Sequence, residues 1–308
     1  MPFNRGLQVI RSKFLRTTAI AVLATANLAP AVAIAADLPA AYPETSVPSL
    51  ASLPAVDGFN GKLEAFGGGY QDGALGGISG AISIPLGYRF GAQIDGTIAD
   101  IGGKTYAQGA GHLFWRDPTI GLIGLYGAYG HYEGFGGVDM YQAAAEGEYY
   151  MGRFTLRGIA GVEGVNAGTF TDAGGTVFNY DDDTRFFDKI DVAFYPTDDF
   201  KVYVGHRYTG GVNAAAAGAE YLWRFNGGTA ASIFAEARVG EDDYKAAWAG
   251  VRFYFGGSDK SLIRRHREDD PNLWEPDTLL GIAADLSKVK GAGCPAGTIL
   301  FDGICEPP

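Results

Sequence analysis

Between residues 61 and 255 the chain alternates in character. Small or apolar side chains take every second position, polar ones fill the positions between, and glycine-rich turns cut the pattern at regular intervals. In the rung 141–151, Tyr141, Ala143, Ala145, Gly147, Tyr149 and Met151 interleave with Gln142, Ala144, Glu146, Glu148 and Tyr150. A period of two means a strand whose two faces meet different surroundings. No helical segment separates the rungs, so the fold class is all-β. Two solutions exist: a sandwich with its apolar faces turned inward, or a closed barrel with apolar residues in lipid and polar ones lining a lumen.

The N-terminus favours the barrel. Residues 1–36 hold Arg5, Arg11, Lys13 and Arg16 and no acid, followed by an uncharged Ala-, Val-, Leu- and Ile-rich run over 17–36. The run ends in Ala31-Val32-Ala33 and Ala33-Ile34-Ala35, small-x-small sites for a signal peptidase. This is the layout of a secretory signal cut near Ala36. A retained anchor is the competing reading, because about 20 apolar residues can span a bilayer; Pro30 and the Ala-rich tail speak for cleavage. No second run of that length follows, so the mature chain is expected to carry no transmembrane helix. The formal charge of −11 becomes four units more acidic without the leader, which argues against nucleic acid as a partner.

Composition agrees with a barrel. Gly makes up 47 of 308 residues, and glycine marks barrel bends and close strand approach. The 17 Tyr and 19 Phe suit aromatic girdles at two water–lipid interfaces.

The chain reads as four parts: the signal 1–36, a Pro-rich linker 37–60 expected to be mobile, a barrel over 61–255, and a periplasmic tail over 256–308. The alternation predicts twelve strands, at 62–71, 76–84, 88–100, 105–116, 120–132, 140–151, 153–164, 187–196, 200–209, 214–225, 229–239 and 243–255. With the first strand running outward, every even-numbered connection is short and made of turn residues. The two longest, near 133–139 and 165–186, are odd-numbered. Outer-membrane barrels have short periplasmic turns and longer outer loops. In 165–186, Thr169-Phe170-Thr171 and Val177-Phe178-Asn179-Tyr180 either extend the flanking strands or form another hairpin.

Parity assigns the faces. Toward lipid it puts Ile78, Ile82, Tyr88, Phe90, Ile94, Leu113, Trp115, Leu156, Tyr221 and Trp223, with His206 as the doubtful residue, high in its strand or at a bulge. Toward the lumen it puts Arg89, Asp95, His112, Arg116, Glu146, Glu148, Arg157, Lys189, Asp191, Arg207, Glu220, Arg224, Glu236, Arg238 and Arg252, along with Gln93, Gln108, Glu163, Lys201 and Trp248. Acids and bases are mixed, so cross-strand pairs can fill the interior of so small a barrel. The lumen is then either plugged or a narrow water path whose charges tune selectivity.

Catalysis has little support. A Ser/His hydrolase needs a base within reach of its nucleophile. His112 reads as lumenal with no neighbouring serine, His131 as a rim residue and His266 as part of the tail. The acidic runs Asp181-Asp182-Asp183 and Glu241-Asp242-Asp243 lack the spacing of a calcium loop and read as solvated loop charges. No cofactor or metal is expected.

In the tail, 261–271 reads as a solvated linker or as a charged strap against the barrel's lower rim. Residues 276–290 have the pattern of a short helix capped by Asp277. Cys294 and Cys305, the only cysteines, are expected to form a disulfide in an oxidising compartment, worth roughly 2–3 kcal/mol.

The last rung closes on Gly250-Val251-Arg252-Phe253-Tyr254-Phe255. Its alternating aromatics ending in Phe resemble the sorting signal of bacterial outer-membrane barrels, although 53 of the 308 residues still follow. The mature start Ala35-Ala36-Asp37-Leu38-Pro39, the stretch Gly111-His112-Leu113-Phe114-Trp115-Arg116-Asp117-Pro118 and the run Ser261-Leu262-Ile263-Arg264-Arg265-His266-Arg267-Glu268-Asp269-Asp270-Pro271 are similar to those of alphaproteobacterial, rhizobial-type porin-like outer-membrane barrels. The resemblance covers most of 61–271. It implies a Gram-negative outer membrane, with lipid, lipopolysaccharide and the barrel-assembly machinery as partners. The expected function is a narrow porin-like channel for small hydrophilic solutes; a plugged structural barrel is the alternative and an outer-membrane hydrolase the third choice.

Overall fold

A computed structural model of the chain describes residues 53–70, 73–167, 170–171, 177–178, 183–225, 227–241, 244–256, 259–274, 299–301 and 304–306. All lie within the compact unit Leu50–Pro308. The signal segment 1–36, the first part of the linker, the helix expected at 276–290 and Cys294 lie outside the described residues.

Twelve antiparallel strands close into a barrel: β1 Asn60–Tyr70, β2 Gly73–Pro85, β3 Phe90–Ile101, β4 Lys104–Asp117, β5 Gly121–Tyr132, β6 Val138–Met151, β7 Phe154–Ala167, β8 Asp183–Thr197, β9 Phe200–Thr209, β10 Val212–Arg224, β11 Ala230–Gly240 and β12 Lys245–Gly256. Each pairs with its sequence neighbours, and β12 returns to β1 in continuous register from Asn60↔Gly256 to Tyr70↔Ala246. Closure leaves no edge strand, which satisfies the backbone in lipid. Both barrel termini lie at one end, the termini end. The two longest connections, after Tyr132 and after Ala167, lie at the other, the loop end. In the ambiguous stretch the described residues form the hairpin: Phe170–Thr171 pairs with Val177–Phe178 in a separate two-stranded sheet, while β7 runs on to Ala167 and β8 starts at Asp183. Two loop-end turns, Gly102-Gly103 and Gly210-Gly211, hold both glycines at positive φ, the type I′ geometry that glycine favours in two-residue hairpins.

The outer face is apolar. Ile94 is 73% exposed, and Leu156 and Trp223 also point out at 41% and 44%. Aromatics gather at the two ends of this face. Phe154 stacks on Phe194 with centroids 4.7 Å apart and Tyr221 meets Trp223 edge-on at 4.9 Å near the termini end; Phe186 stacks on Tyr208 at 6.5 Å near the loop end. Aliphatic Ile82, Ile94, Leu125, Val204, Ile233 and Val251 lie between and are exposed. An aliphatic band between two aromatic girdles is the exterior of a membrane-spanning barrel. His206 faces outward near the loop end of β9, held by Asp188 at 3.0 Å and Asn213 at 3.2 Å.

Of two segments beside the barrel, the first departs from expectation and the second takes the strap reading. Residues 53–59 of the supposed mobile linker lie against the barrel: Ala55 N–H donates to Tyr88 O at 2.8 Å, and Val56 is buried with Phe114 and Leu122. The apolar pair Ala55-Val56 has a dry site there, which outweighs the turn-rich composition around it. After β12 the chain forms helix α1, Leu262–Glu268, in the region read as linker or strap. Further on, Ile299–Phe301 pairs with Ile304–Glu306 and sets Cys305 opposite Leu300.

Candidate functional site: the lumen and the segment that fills it

The inward face changes along the barrel. At the loop end it carries Tyr70, Leu75, Ile101, Tyr106, Tyr132 and Tyr244, all buried in one apolar cluster with Phe66, Met140 and Trp248 beneath them. Toward the termini end it is mainly charged, and Glu163 brings a buried carboxylate to the loop end as well.

The charged side chains pair across strands. His112 of β4 sits between two carboxylates, with Asp95 Oδ2 at 2.8 Å from Nε2 and Glu146 Oε1 at 2.9 Å from Nδ1. Both ring nitrogens are therefore committed, and the ring cannot also deprotonate a nucleophile. Arg157 and Arg207 converge on Asp191 at 2.9 and 2.6 Å. Glu220 gathers Lys201 at 3.0 Å, Arg252 at 2.9 Å, Ser232 at 2.7 Å and the Tyr254 hydroxyl at 2.7 Å. Arg252 reaches Glu64 as well, at 2.7 Å from Nε. Glu163 accepts from Gln142 at 3.0 Å, Thr209 at 2.7 Å and the Gly210 N–H at 2.7 Å. Arg238 pairs with Glu236 at 2.9 Å and lies 4.8 Å over the Trp248 ring. Such mutual pairing is what makes buried charge tolerable.

The segment after β12 enters this space. Leu262 packs among Ala193, Tyr195, Tyr203 and Leu222. Arg265 donates to Gly228 O at 2.9 Å and Arg267 to Phe154 O at 2.9 Å, fixing α1 across the termini end. Lys260, fully buried, gathers Asp57 at 2.9 Å, Glu268 at 3.4 Å and Asp269. It thereby ties the residues before the barrel to those after it. Beyond α1 the chain runs deeper. Lys62 pairs with Asp270 and donates to Pro271 O at 2.9 Å. Arg116 donates to Asp269 O at 3.0 Å and Ala55 O at 3.2 Å. Arg157 donates to Asn272 Oδ1 at 2.6 Å, and Lys189 to Trp274 O at 3.1 Å. Trp274 is buried with Ala110, Tyr126, Ile159 and Phe187, residues from the middle of four strands. Between segment and wall a cavity of about 30 Å³ is left, lined by Lys62, Glu64, Arg157, Tyr203 and Arg252 among others, with room for about one or two waters.

Two tail groups have displaced pKa values. Burial, reinforced by the Lys201 charge, holds His266 well below its usual value, even with Glu220 nearby. The neutral ring bridges Tyr195 at 2.9 Å and Tyr254 at 3.3 Å. Burial pushes Asp269 up to about 6, offset in part by Lys260.

Of the side chains assigned to the lumen from parity, Asp95, His112, Arg116, Glu146, Arg157, Lys189, Asp191, Arg207, Glu220, Arg238 and Arg252 are buried inside the barrel. Glu148, whose carboxylate accepts from Tyr150 at 2.7 Å, and Glu236 are half-buried there. Two differ. Arg224 is exposed and reaches Asp199 at 2.9 Å, and Arg89 is half-buried beside Asp117. Both sit at the termini end, where a long side chain turns to the nearest aspartate, Asp199 in a turn or Asp117 at the end of β4. His131 is exposed and meets Asp139 at 2.8 Å. Glu241 accepts from the Asn213 N–H at 3.0 Å, while Asp181, Asp182, Asp242 and Asp243 lie outside the described residues. Among the described residues, no cluster of three or more His, Cys, Asp or Glu side chains is arranged to hold a metal. Lys62 and Glu64 were missed by sequence reasoning, although they share the same period-two signal in β1. Lys260 and Trp274 were also missed; they lie in a stretch without a period and left no signal.

No protein-family model matches the chain, and no curated protein sequence does. Among solved structures the fold is similar to the KdgM porin in complex with disordered oligogalacturonate, at 10% identity over 63% of this chain and 99% of that one, with a TM-score of 0.47. It is also similar to the NanC porin, at 9% identity over 63% and 99%, TM-score 0.45. A third is the translocator domain of the autotransporter NalP from Neisseria meningitidis, at 14% identity over 65% and 88%, TM-score 0.47.

Proposed function

We propose that the protein is a porin-like barrel of a Gram-negative outer membrane, a narrow channel for small hydrophilic solutes held shut by its own C-terminal segment. The observation that carries this reading is the filling of a charged lumen by residues 260–274, which attach to the wall through polar contacts alone along Asp269, Asp270, Pro271 and Asn272. Each contact to a charged group is worth about 1.5–3 kcal/mol net, and Leu262 and Trp274 add apolar burial, so the segment is a held plug that yields to a solute able to replace its acceptors. The export signal over 1–36, the short turns at the termini end and the rhizobial-type sequence resemblance support an outer-membrane setting with the tail on the periplasmic side. Lipid and lipopolysaccharide surround the exterior band, and the barrel-assembly machinery inserts it.

A second reading, a permanently plugged surface or structural barrel, is favoured by the apolar ring at the loop end. Planar-bilayer recording of the purified full chain separates the two. The channel reading expects brief openings in wild type that become frequent when Lys260→Ala loosens the segment. Silence from both folded proteins rejects it and leaves the plugged barrel.

A further inference from the structure

We propose that Lys62, Arg116, Arg157 and Lys189 form a binding path for small organic carboxylates, which residues 269–274 occupy as a built-in surrogate. This rests on the channel reading above and names the solute class of the same lumen.

The contacts between wall and segment are one-sided. All four wall groups are cations, and among the described residues their hydrogen bonds to residues 269–274 run from wall donor to segment acceptor. The acceptors are the Asp270 carboxylate, the Asn272 amide oxygen and the carbonyls of Asp269, Pro271 and Trp274. The run Asp269-Asp270-Pro271-Asn272-Leu273-Trp274 contains no basic residue. The wall's carboxylates, by contrast, are engaged within the wall: Asp95 and Glu146 with His112, Glu64 and Glu220 with Arg252, Glu163 with Gln142 and Thr209. When the segment leaves, the wall therefore gains accessible donors while these carboxylates stay paired within the wall, Asp95 through Oδ2. A solute that takes the segment's place has to bring acceptors, and negative charge strengthens each bond.

Arg116 adds an independent observation. Its side chain is fully buried, yet Nε and Nη2 have no hydrogen-bond partner among the described residues. Buried donors of this kind are costly, and a guanidinium with two adjacent free N–H groups matches a carboxylate bidentately. The position of Trp274 defines the other half of the solute. Its ring lies 5.8 Å from Arg157 and 5.9 Å from Arg207 and is enclosed by Tyr126, Ile159 and Phe187. A carboxylate with a small apolar or aromatic body reproduces both the acidic and the aromatic features of the segment.

Two measurements on the full chain test this. In wild type, benzoate competes with the segment and raises the protease accessibility of residues beyond β12, while uncharged benzamide does not. In planar bilayers under a salt gradient, Asp270→Asn/Trp274→Ala opens often, and its reversal potential moves toward that of chloride, anions passing roughly threefold or more over potassium. Adding Lys62→Gln and Lys189→Gln removes that displacement. Openings without anion preference, or a preference untouched by the glutamines, overturn the carboxylate path and leave the channel reading standing. If neither protein opens, the channel reading fails, and the wild-type competition alone decides the path: equal effects of benzoate and benzamide overturn it.

Discussion

The two ends of the lumen close by different means. At the loop end the closure is mainly apolar: Tyr70, Tyr106, Tyr132 and Tyr244 join Leu75 and Ile101 over Phe66 and Trp248, with Glu163 the buried carboxylate among them. At the termini end it is largely polar: wall lysines and arginines donate to residues 269–274, and Arg265 of α1 donates to the Gly228 carbonyl. Opening an apolar closure exposes surface at about 25 cal/mol per Å². Opening a polar one trades hydrogen bonds for those of water. On the channel reading proposed above, the termini end, with Leu262 and Trp274 as its apolar part, is the closure that moves, and the loop end sets the bore.

Perturbations should separate these two closures. The largest effect is expected for Arg252→Ala, which leaves Glu64 and Glu220 buried without their shared cation. A loss of about 3–5 kcal/mol would lower the denaturant midpoint of the whole barrel. Phe66→Ala empties part of the loop-end cluster and is expected to cost about 3 kcal/mol in the same assay, with the protease protection of α1 unchanged. If that protection falls too, the two closures are not independent. Lys260→Ala acts in the opposite way. It strips Asp57, Glu268 and Asp269 of their common partner and should weaken segment docking by about 2 kcal/mol, read as faster proteolysis after β12 with an unchanged barrel midpoint.

The smallest effect is a pH dependence confined to the termini end. His266 is depressed in the docked state, so its share of docking is intact above the ordinary histidine value of about 6.5 and is lost as pH falls below it. Asp269, raised to about 6, works in the other direction: its share is present below the ordinary aspartate value of about 3.9 and is lost as pH rises through about 6. His266→Gln should therefore make docking tighten on acidification, and Asp269→Asn should make it loosen more than wild type. Protease protection of α1 measured between about pH 7 and pH 5 checks both signs; identical profiles would remove this pair from the account.

The barrel was legible because its rule is local. Alternation along 88–100 or 140–151 already states which face each side chain takes, and the lipid costs about 2–4 kcal/mol for a misplaced Lys or Arg at its midplane. Strand boundaries blurred at the loop end, most at β8, which begins at Asp183 instead of the expected 187, and also at β2, which begins at Gly73 instead of 76. In the lumen, parity named the direction of Arg157 or Glu220 but not the partner, since Arg252 and Glu64 meet only because β12 closes on β1. Arg89 and Arg224 show the limit at strand ends, where a long side chain follows the nearest carboxylate instead of the pleat.

The amino-acid order by itself determined the number of strands, their faces and the membrane-facing exterior, because a two-residue period and a lipid environment leave one consistent arrangement. Only the tertiary structure decided what fills the centre. Lys62 and Asp270 are far apart in the chain, and no period links them; closure of the barrel fixes the spacing of the wall's donors, and a segment with acceptors at matching intervals satisfies them from within.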